Sequence, residues 1–213
     1  MANIGDIRKD YSLQSLNEAD VNTDGIQQFD RWWNDALVCE IEELNAMTLA
    51  TAAADGKPSA RIVLLKDYDK NGFVFFTNYH SNKGKQMEEN PFACLVFFWK
   101  EMERQVRIEG PVTKIAEEES DAYFFSRPEG SRIGAWASPQ SKVIASREVI
   151  EENVTELEKN FAGKEIDRPP HWGGYIVKPL LIEFWQGRQS RLHDRIQYNL
   201  QPDGVWKIER LAP

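Results

Sequence analysis

Arg191, His193 and Arg195 stand two residues apart within residues 190–200, a stretch that reads as a β-strand. Alternate strand residues share a face, so this spacing gathers three groups that are, or can become, cationic. Such a set suits either the solvated face of an edge strand or an anionic ligand. Trp185, on the preceding predicted strand, brings a flat ring within reach and tilts the balance toward a ligand. Arg61 and Lys66 flank a second apolar strand, residues 59–66. Long basic side chains at strand ends either snorkel to water or grip phosphate oxygens, which suit a forked guanidinium and an ammonium alike. Residues 126–134 mix Arg127, Arg132, two serines and two glycines and read as a loop. It is either an ordinary polar loop or a cage of N–H groups, hydroxyls and guanidinium around an anion. Ser81-Asn82-Lys83-Gly84-Lys85 opens a predicted helix, whose first turn either meets an anion or is simply solvated.

These segments converge on one ligand class: small, flat and phosphorylated. The chain has no Walker loop, no G-x-G-x-x-G and no metal-ligand spacing. It also lacks a convincing nucleophile–base pair, so chemistry carried by a bound organic cofactor is expected, with no metal. Two distant cysteines, Cys39 and Cys94, and three histidines point to reduced thiols rather than a disulfide or zinc framework. A net charge of -8 argues against general nucleic-acid binding. The longest strongly apolar run, residues 93–99, is too short for a bilayer, and the first residues carry charges where a signal peptide needs an apolar stretch. A soluble cytoplasmic protein without membrane contact is expected. Seven tryptophans and eleven phenylalanines either fill a β-rich core or wall a flat ligand.

The elements that must position these residues follow from periodicity. Residues 1–22 are polar and weakly patterned, and are expected to form a mobile arm. A helix is predicted from Asp24, with Gln27 completing a capping-box-like pair and Ile26, Phe29, Trp33, Leu37 and Ile41 on its apolar face. Residues 46–53, 59–66 and 72–78 read as strands, with tight turns at Asp55-Gly56 and Asn71-Gly72. A short helix over 82–89 precedes strands at 92–100 and 104–115; near-continuous apolar character suggests that the first is buried on both faces. A helix from Glu117 stops at Arg127-Pro128, and an amphipathic one runs from Ser146 to Gly163 with Val149, Ile150, Val154, Leu157 and Phe161 inward. Strands at 175–187, 190–200 and 205–209 close the chain, the last pair joined by Pro202-Asp203-Gly204. The expected fold is α+β, one domain over 23–213 of mainly antiparallel strands with helices, closed as a barrel.

At these residues the sequence resembles the pyridoxine/pyridoxamine 5′-phosphate oxidase family. The resemblance rests on Arg61-Ile-Val-Leu-Leu-Lys66, Ser131-Arg-Ile-Gly-Ala-Trp-Ala-Ser-Pro-Gln-Ser141, Phe184-Trp-Gln-Gly187, Arg191-Leu-His-Asp-Arg195 and Arg210-Leu-Ala-Pro213, in order from Arg8 to the last residue. It implies a split β-barrel homodimer with FMN in each of two clefts between subunits. It also implies oxidation of pyridoxine or pyridoxamine 5′-phosphate to pyridoxal 5′-phosphate by hydride transfer to flavin N5. O2 then reoxidises the flavin to give H2O2, and the amine substrate releases ammonia. Arg61, Ile62, Val63, Leu64, Leu65, Lys66, Phe76, Thr77, Lys83, Gln105, Gln140, Ser141, Trp185 and Arg195 fall on FMN-binding positions of the family. Lys66, Tyr123, Arg127 and Ser131 fall on its substrate-phosphate site. Arg191 and His193 fall over the substrate ring, as the expected catalytic pair, and Arg8 and Tyr11 fall in a segment that folds over that ring. Most members carry arginine where this chain has Asn82. The competing class is a flavin carrier or deazaflavin reductase on the same fold. Such a carrier has no use for Tyr123, Arg127, Ser131, Arg191 and His193.

Overall fold

A computed structural model describes residues 3–6 and 9–213. In chain order the elements are α1 (Gly25–Val38), β1 (Ala46–Ala52), β2 (Pro58–Leu64), β3 (Asp67–Asp69), β4 (Gly72–Asn78) and α2 (Asn82–Glu89). There follow β5 (Phe92–Trp99), β6 (Arg104–Lys114), α3 (Glu117–Ser126), α4 (Glu129–Ala137) and α5 (Glu148–Phe161). The chain ends with β7 (Trp172–Val177), β8 (Leu181–Gln186), β9 (Asp194–Leu200) and β10 (Trp206–Leu211). Turn chemistry sets several boundaries. Asp24 accepts the Ile26 and Gln27 amides and caps α1, while Gly56, Gly72 and Gly204 take the positive φ that tight turns require. The apolar face of α1 is rotated from the predicted one. Phe29, Trp32 and Ala36 are buried, Leu37 is exposed, and Ile41 lies beyond the helix end.

The sheet is antiparallel and runs β2-β1-β5-β6 before it divides. The first half of β6, from Arg104 to Glu109, pairs with β8, and β9 and β10 follow. Its last residues, Val112 to Lys114, pair instead with β7, which leads to β4 and β3. The fork lies at Gly110-Pro111, where a Cβ on Gly110 would collide with the Lys178 carbonyl. Opposite it, Lys178-Pro179-Leu180 interrupts the partner, so the predicted strand over 175–187 is two strands, β7 and β8. The Lys66 amide donates to Val74 O at 2.9 Å and draws the β2 end toward β4, curling the sheet into a split barrel.

Inside the curl lie Phe29, Leu49, Phe73, Phe75, Leu95, Phe97, Val106, Ile108 and Phe184, all fully buried. Each contributes roughly 1.5–3 kcal/mol by leaving water. A second cluster of Phe124, Ile133, Ile166 and Trp172 joins α3, α4 and α5 to β7. The expectation that β5 is buried on both faces fails. Leu95, Phe97 and Trp99 point inward, but Phe92 and Phe98 are 53% and 54% exposed on the outer face. Residues 9–22, expected as an unpacked arm, lie against the β8–β10 end. There Leu16 is buried, its carbonyl accepts from Arg210, and Asn22 O accepts the Tyr198 hydroxyl at 2.7 Å. Among the described residues no helix is long and apolar enough to cross a membrane.

Candidate active site

A cleft of about 590 Å³ opens between β2, β4, the start of α2 and the α3–α4 junction. Arg61 reaches it from edge strand β2. Its guanidinium donates to Leu49 O, Thr51 Oγ1, Ser59 Oγ and Gln86 Oε1, at 2.6–3.3 Å, all of them neutral. Lys83 enters from the first turn of α2, which Ser81 caps through the Gly84 amide. Its Nζ donates to Gln140 Oε1 at 2.9 Å, Thr77 Oγ1 at 3.2 Å and Ser81 Oγ at 3.3 Å, again without a carboxylate. Burial, and secondarily the Arg61 charge, pushes the Lys83 pKa down to about 8. Two half-buried cations thus face each other across neutral donors and acceptors. That arrangement is costly until an anion joins it.

At the other end stand Lys66, Tyr123, Arg127 and Ser131. The Tyr123 ring stacks on Phe76, 3.9 Å between centroids, and Trp172 continues the stack behind Phe76 at 5.4 Å. Arg127 lies over Trp172 at 4.6 Å, and its Nη1 is buried without a hydrogen-bond partner. Residues 126–134, predicted as a loop, form the α3–α4 junction. Pro128 caps α4, its carbonyl takes the Ser131 and Arg132 amides, and Gly130 and Gly134 sit within the helix. A proline before an acidic first turn starts a helix well, and tertiary packing of Ile133 overrides the glycines. Ser131 therefore points from a helical turn, not from a flexible cage.

Arg191, His193 and Arg195 do not share a strand face. Ser190 and Arg191 adopt left-handed backbone (φ 55° and 61°), and β9 begins only at Asp194. Arg191 and His193 instead line a second pocket of about 420 Å³ with Lys9, Tyr11 and Arg188. His193 Nδ1 accepts the Arg188 amide at 3.1 Å, which leaves the ring hydrogen on Nε2. Burial and the neighbouring Arg191 lower the His193 pKa. Its ring lies 4.6 Å from Trp185 and 6.0 Å from Tyr11. Gln105, Trp185 and Arg195 form one cross-strand row over β6, β8 and β9. Arg195 Nε is held at 2.8 Å by Glu183, a buried carboxylate that also takes Arg107 at 2.6 Å.

The expected residues thus separate into two groups. Arg61, Ile62, Val63, Leu64, Lys66, Phe76, Thr77, Lys83, Tyr123, Arg127, Ser131 and Gln140 line the first cleft. Tyr11, Gln105, Trp185, Arg191, His193 and Arg195 gather around the second pocket and the strands beside it. Leu65 turns its side chain into the core and meets Asn45 through its backbone, while Ser141 stands exposed beside the cleft. Arg8 lies outside the described residues. Sequence reasoning missed Trp172, Gln86 and Glu183. Trp172 is signalled by Gly173-Gly174, where a Cβ would strike Tyr79 or Ile115 and Phe76. No local pattern marks the other two.

Fold and site together define a split-barrel protein whose β2–β4 cleft gathers cations that have no paired carboxylate among the described residues. The family model described as pyridoxamine 5′-phosphate oxidase matches residues 34–161, and the model for the pyridoxine 5′-phosphate oxidase C-terminal dimerisation region matches 172–213. A pyridoxine/pyridoxamine 5′-phosphate oxidase from Trichormus variabilis is 58% identical over 99% of this chain and 98% of its own. One from Cupriavidus pinatubonensis is 56% identical over the full length of both. The crystal structure of PhzG from Burkholderia lata, in complex with tetrahydrophenazine-1-carboxylic acid, superposes with a TM-score of 0.88. It is 31% identical and spans 95% of this chain and 100% of that one. The chain belongs to the pyridoxine/pyridoxamine 5′-phosphate oxidase family.

Proposed function

We propose that the chain is an FMN-dependent oxidase converting pyridoxine 5′-phosphate or pyridoxamine 5′-phosphate to pyridoxal 5′-phosphate in the cytoplasm. One observation carries the reading. Arg61, Lys66, Lys83 and Arg127 line one cleft, and none forms an ion pair among the described residues. Four such cations suit two phosphates, one on each ligand. The buried Arg127 Nη1, which has no hydrogen-bond partner, and the absence of a paired carboxylate on these four cations among the described residues fit that chemistry. Arg61 and Lys83, with Thr77 and Gln140, would hold the FMN phosphate, and residues 62–66 and 76–77 would run alongside the cofactor. Leu65 contributes there through its backbone, and exposed Ser141 reaches from the rim. Lys66, Tyr123, Arg127 and Ser131 would hold the substrate phosphate. FMN, when bound, supplies the two-electron acceptor, with O2 as the final oxidant and H2O2 as its product.

The rest is positioning. Arg191 orients the substrate ring and balances charge, and neutral His193 presents its Nε2 hydrogen to a ring substituent. Gln105, Trp185 and Arg195 pack against the cofactor, with Glu183 fixing Arg195. Cleft and pocket share no lining residue in one chain. A homodimer that sets the pocket of one subunit on the cleft of its partner unites them. Supporting this, Ile62, Leu64, Phe92 and Phe98 form an apolar outer surface beside the cleft. The test is anaerobic addition of pyridoxamine 5′-phosphate to FMN-loaded protein of known scattering mass. Bleaching of the flavin band in a species of twice the chain mass is expected; an unbleached flavin, or an active monomer, defeats the reading.

A further inference from the structure

Glu103, in the turn between β5 and β6, holds a left-handed backbone (φ 54°) that a non-glycine residue keeps only where its surroundings enforce it. Two contacts enforce it here. Its carbonyl accepts the Gly187 amide at 2.7 Å and Gln186 Nε2 at 3.2 Å. Gln186 is fully buried and is itself held by Arg104 Nε at 3.0 Å. The residue so presented is 2% exposed, and among the described residues the partners of its carboxylate come from the N-terminal segment. Oε2 accepts the Ser12 amide at 2.8 Å and the Leu13 amide at 3.1 Å, and Oε1 pairs with Lys9 at 3.2 Å. Arg104, the next residue, donates to Gln14 Oε1. Two consecutive residues of opposite charge therefore grip residues 9–14.

Between the gripped residues lies Tyr11. Its ring meets Trp185 edge-on at 5.8 Å and stands 6.0 Å from His193. Room for it comes from Gly187, where a Cβ would fall 2.7 Å from Tyr11 Cγ. Gly187 has no positive φ, so space rather than backbone conformation calls for glycine. Anchor and notch are joined, because the Gly187 amide is one of the two donors that fix Glu103.

We propose that Glu103 is a positioning residue: it latches residues 9–13 so that Tyr11, seated over Gly187, closes the pocket of Arg191 and His193. The functional half of this rests on that pocket receiving the vitamer ring. A buried carboxylate suits the task, since it satisfies two amides and an ammonium that would otherwise need water.

The test compares FMN-loaded wild type with Glu103→Ala, Glu103→Gln and Gly187→Ala, by amide hydrogen exchange and by steady-state kinetics on pyridoxamine 5′-phosphate. Glu103→Ala should speed exchange at Ser12 and Leu13 by about tenfold or more, as expected for a lost charged hydrogen bond, with β6 exchange and FMN content unchanged. KM should rise about fivefold or more while kcat moves less than twofold, the signature of lost binding. Glu103→Gln keeps an acceptor oxygen and should recover most of both effects. Gly187→Ala should reproduce the KM effect with Glu103 intact. Unchanged exchange at residues 12–13 overturns the latch, and so does loosening that spreads through β6, which would make Glu103 a general support. Faster exchange with unaltered KM overturns the closing role. If the wild type fails to oxidise this substrate, the functional reading fails, and the exchange result alone decides the latch.

Discussion

Two half-buried charged regions of this protein treat their cations in opposite ways. At the β8–β10 end four arginines have their anions inside the chain, although Arg191, which lines the pocket there, has none among the described residues. Glu183 holds Arg107 and Arg195, Asp194 holds Arg188 and Arg210, and Glu18 takes Arg210 as well. In the β2–β4 cleft, Arg61 and Lys83 touch only neutral acceptors, and Arg127 buries a nitrogen with no hydrogen-bond partner. A paired charge stabilises its own surroundings, while an unpaired one raises the energy of the free protein and lowers it only when an anion arrives. The contrast sets the two regions apart without reference to shape.

The largest test of that contrast removes the anion from the substrate. Pyridoxamine without its phosphate should show a kcat/KM about 10²–10⁴ lower than pyridoxamine 5′-phosphate, since two or so charged hydrogen bonds of about 1.5–3 kcal/mol each go unmade. Comparable turnover of the two would break the comparison. Next comes stability of the cofactor-free protein in urea. Glu183→Ala leaves Arg195 without its carboxylate and Arg107 with Glu109 alone, and should cost about 2–3 kcal/mol, below the range for a wholly buried pair because both guanidinium groups are partly exposed. Arg127→Ala should cost less than about 0.5 kcal/mol, or even stabilise. The reverse order would mean that Arg127 is scaffold.

The smallest effect is on pH dependence. Lys83 titrates near 8 in the free protein. A bound phosphate dianion favours the ammonium and raises that pKa, so above pH 8 binding must take up a proton. Affinity for FMN should therefore fall as pH rises through about 8, by roughly tenfold between pH 7 and 9 at most. Riboflavin, which has no phosphate, should show no such decline. Fluorescence titration of cofactor-free protein at the two pH values measures both, and a flat FMN profile would move the phosphate away from Lys83.

How much was legible depended on whether the signal was local. Residues 82–89 read correctly as a helix because Ser81 caps it and Pro91 follows it; Gly56, Gly72 and Gly204 mark their turns unaided. The alternation Arg191, His193, Arg195 imitates a strand, but the chain crosses left-handed conformations at Ser190 and Arg191 without a glycine to announce them. Gly130 and Gly134 suggest a loop where packing of Ile133 makes a helix. The residues that line the cleft and the pocket could be named together because their motifs are distinctive; what was legible was the set. Their division between two pockets was not, since it follows from where β6 divides.

That division has a consequence for fidelity of assembly. β6 is proofread by three neighbours: β5 along most of its length, β8 over its first half and β7 over its last. Pro111 offers no N–H, and Gly110 alone tolerates the approaching Lys178 carbonyl, so the fork can form at one position only. A slip by one residue would turn Val106 and Ile108 outward and Gln105 and Arg107 inward, and would spoil pairing with all three partners at once. A slip at the edge strand β2 or β10 disturbs one partner, whereas a slip in β6 disturbs three. The distance between the two charged regions is thereby set by the strand least able to misalign.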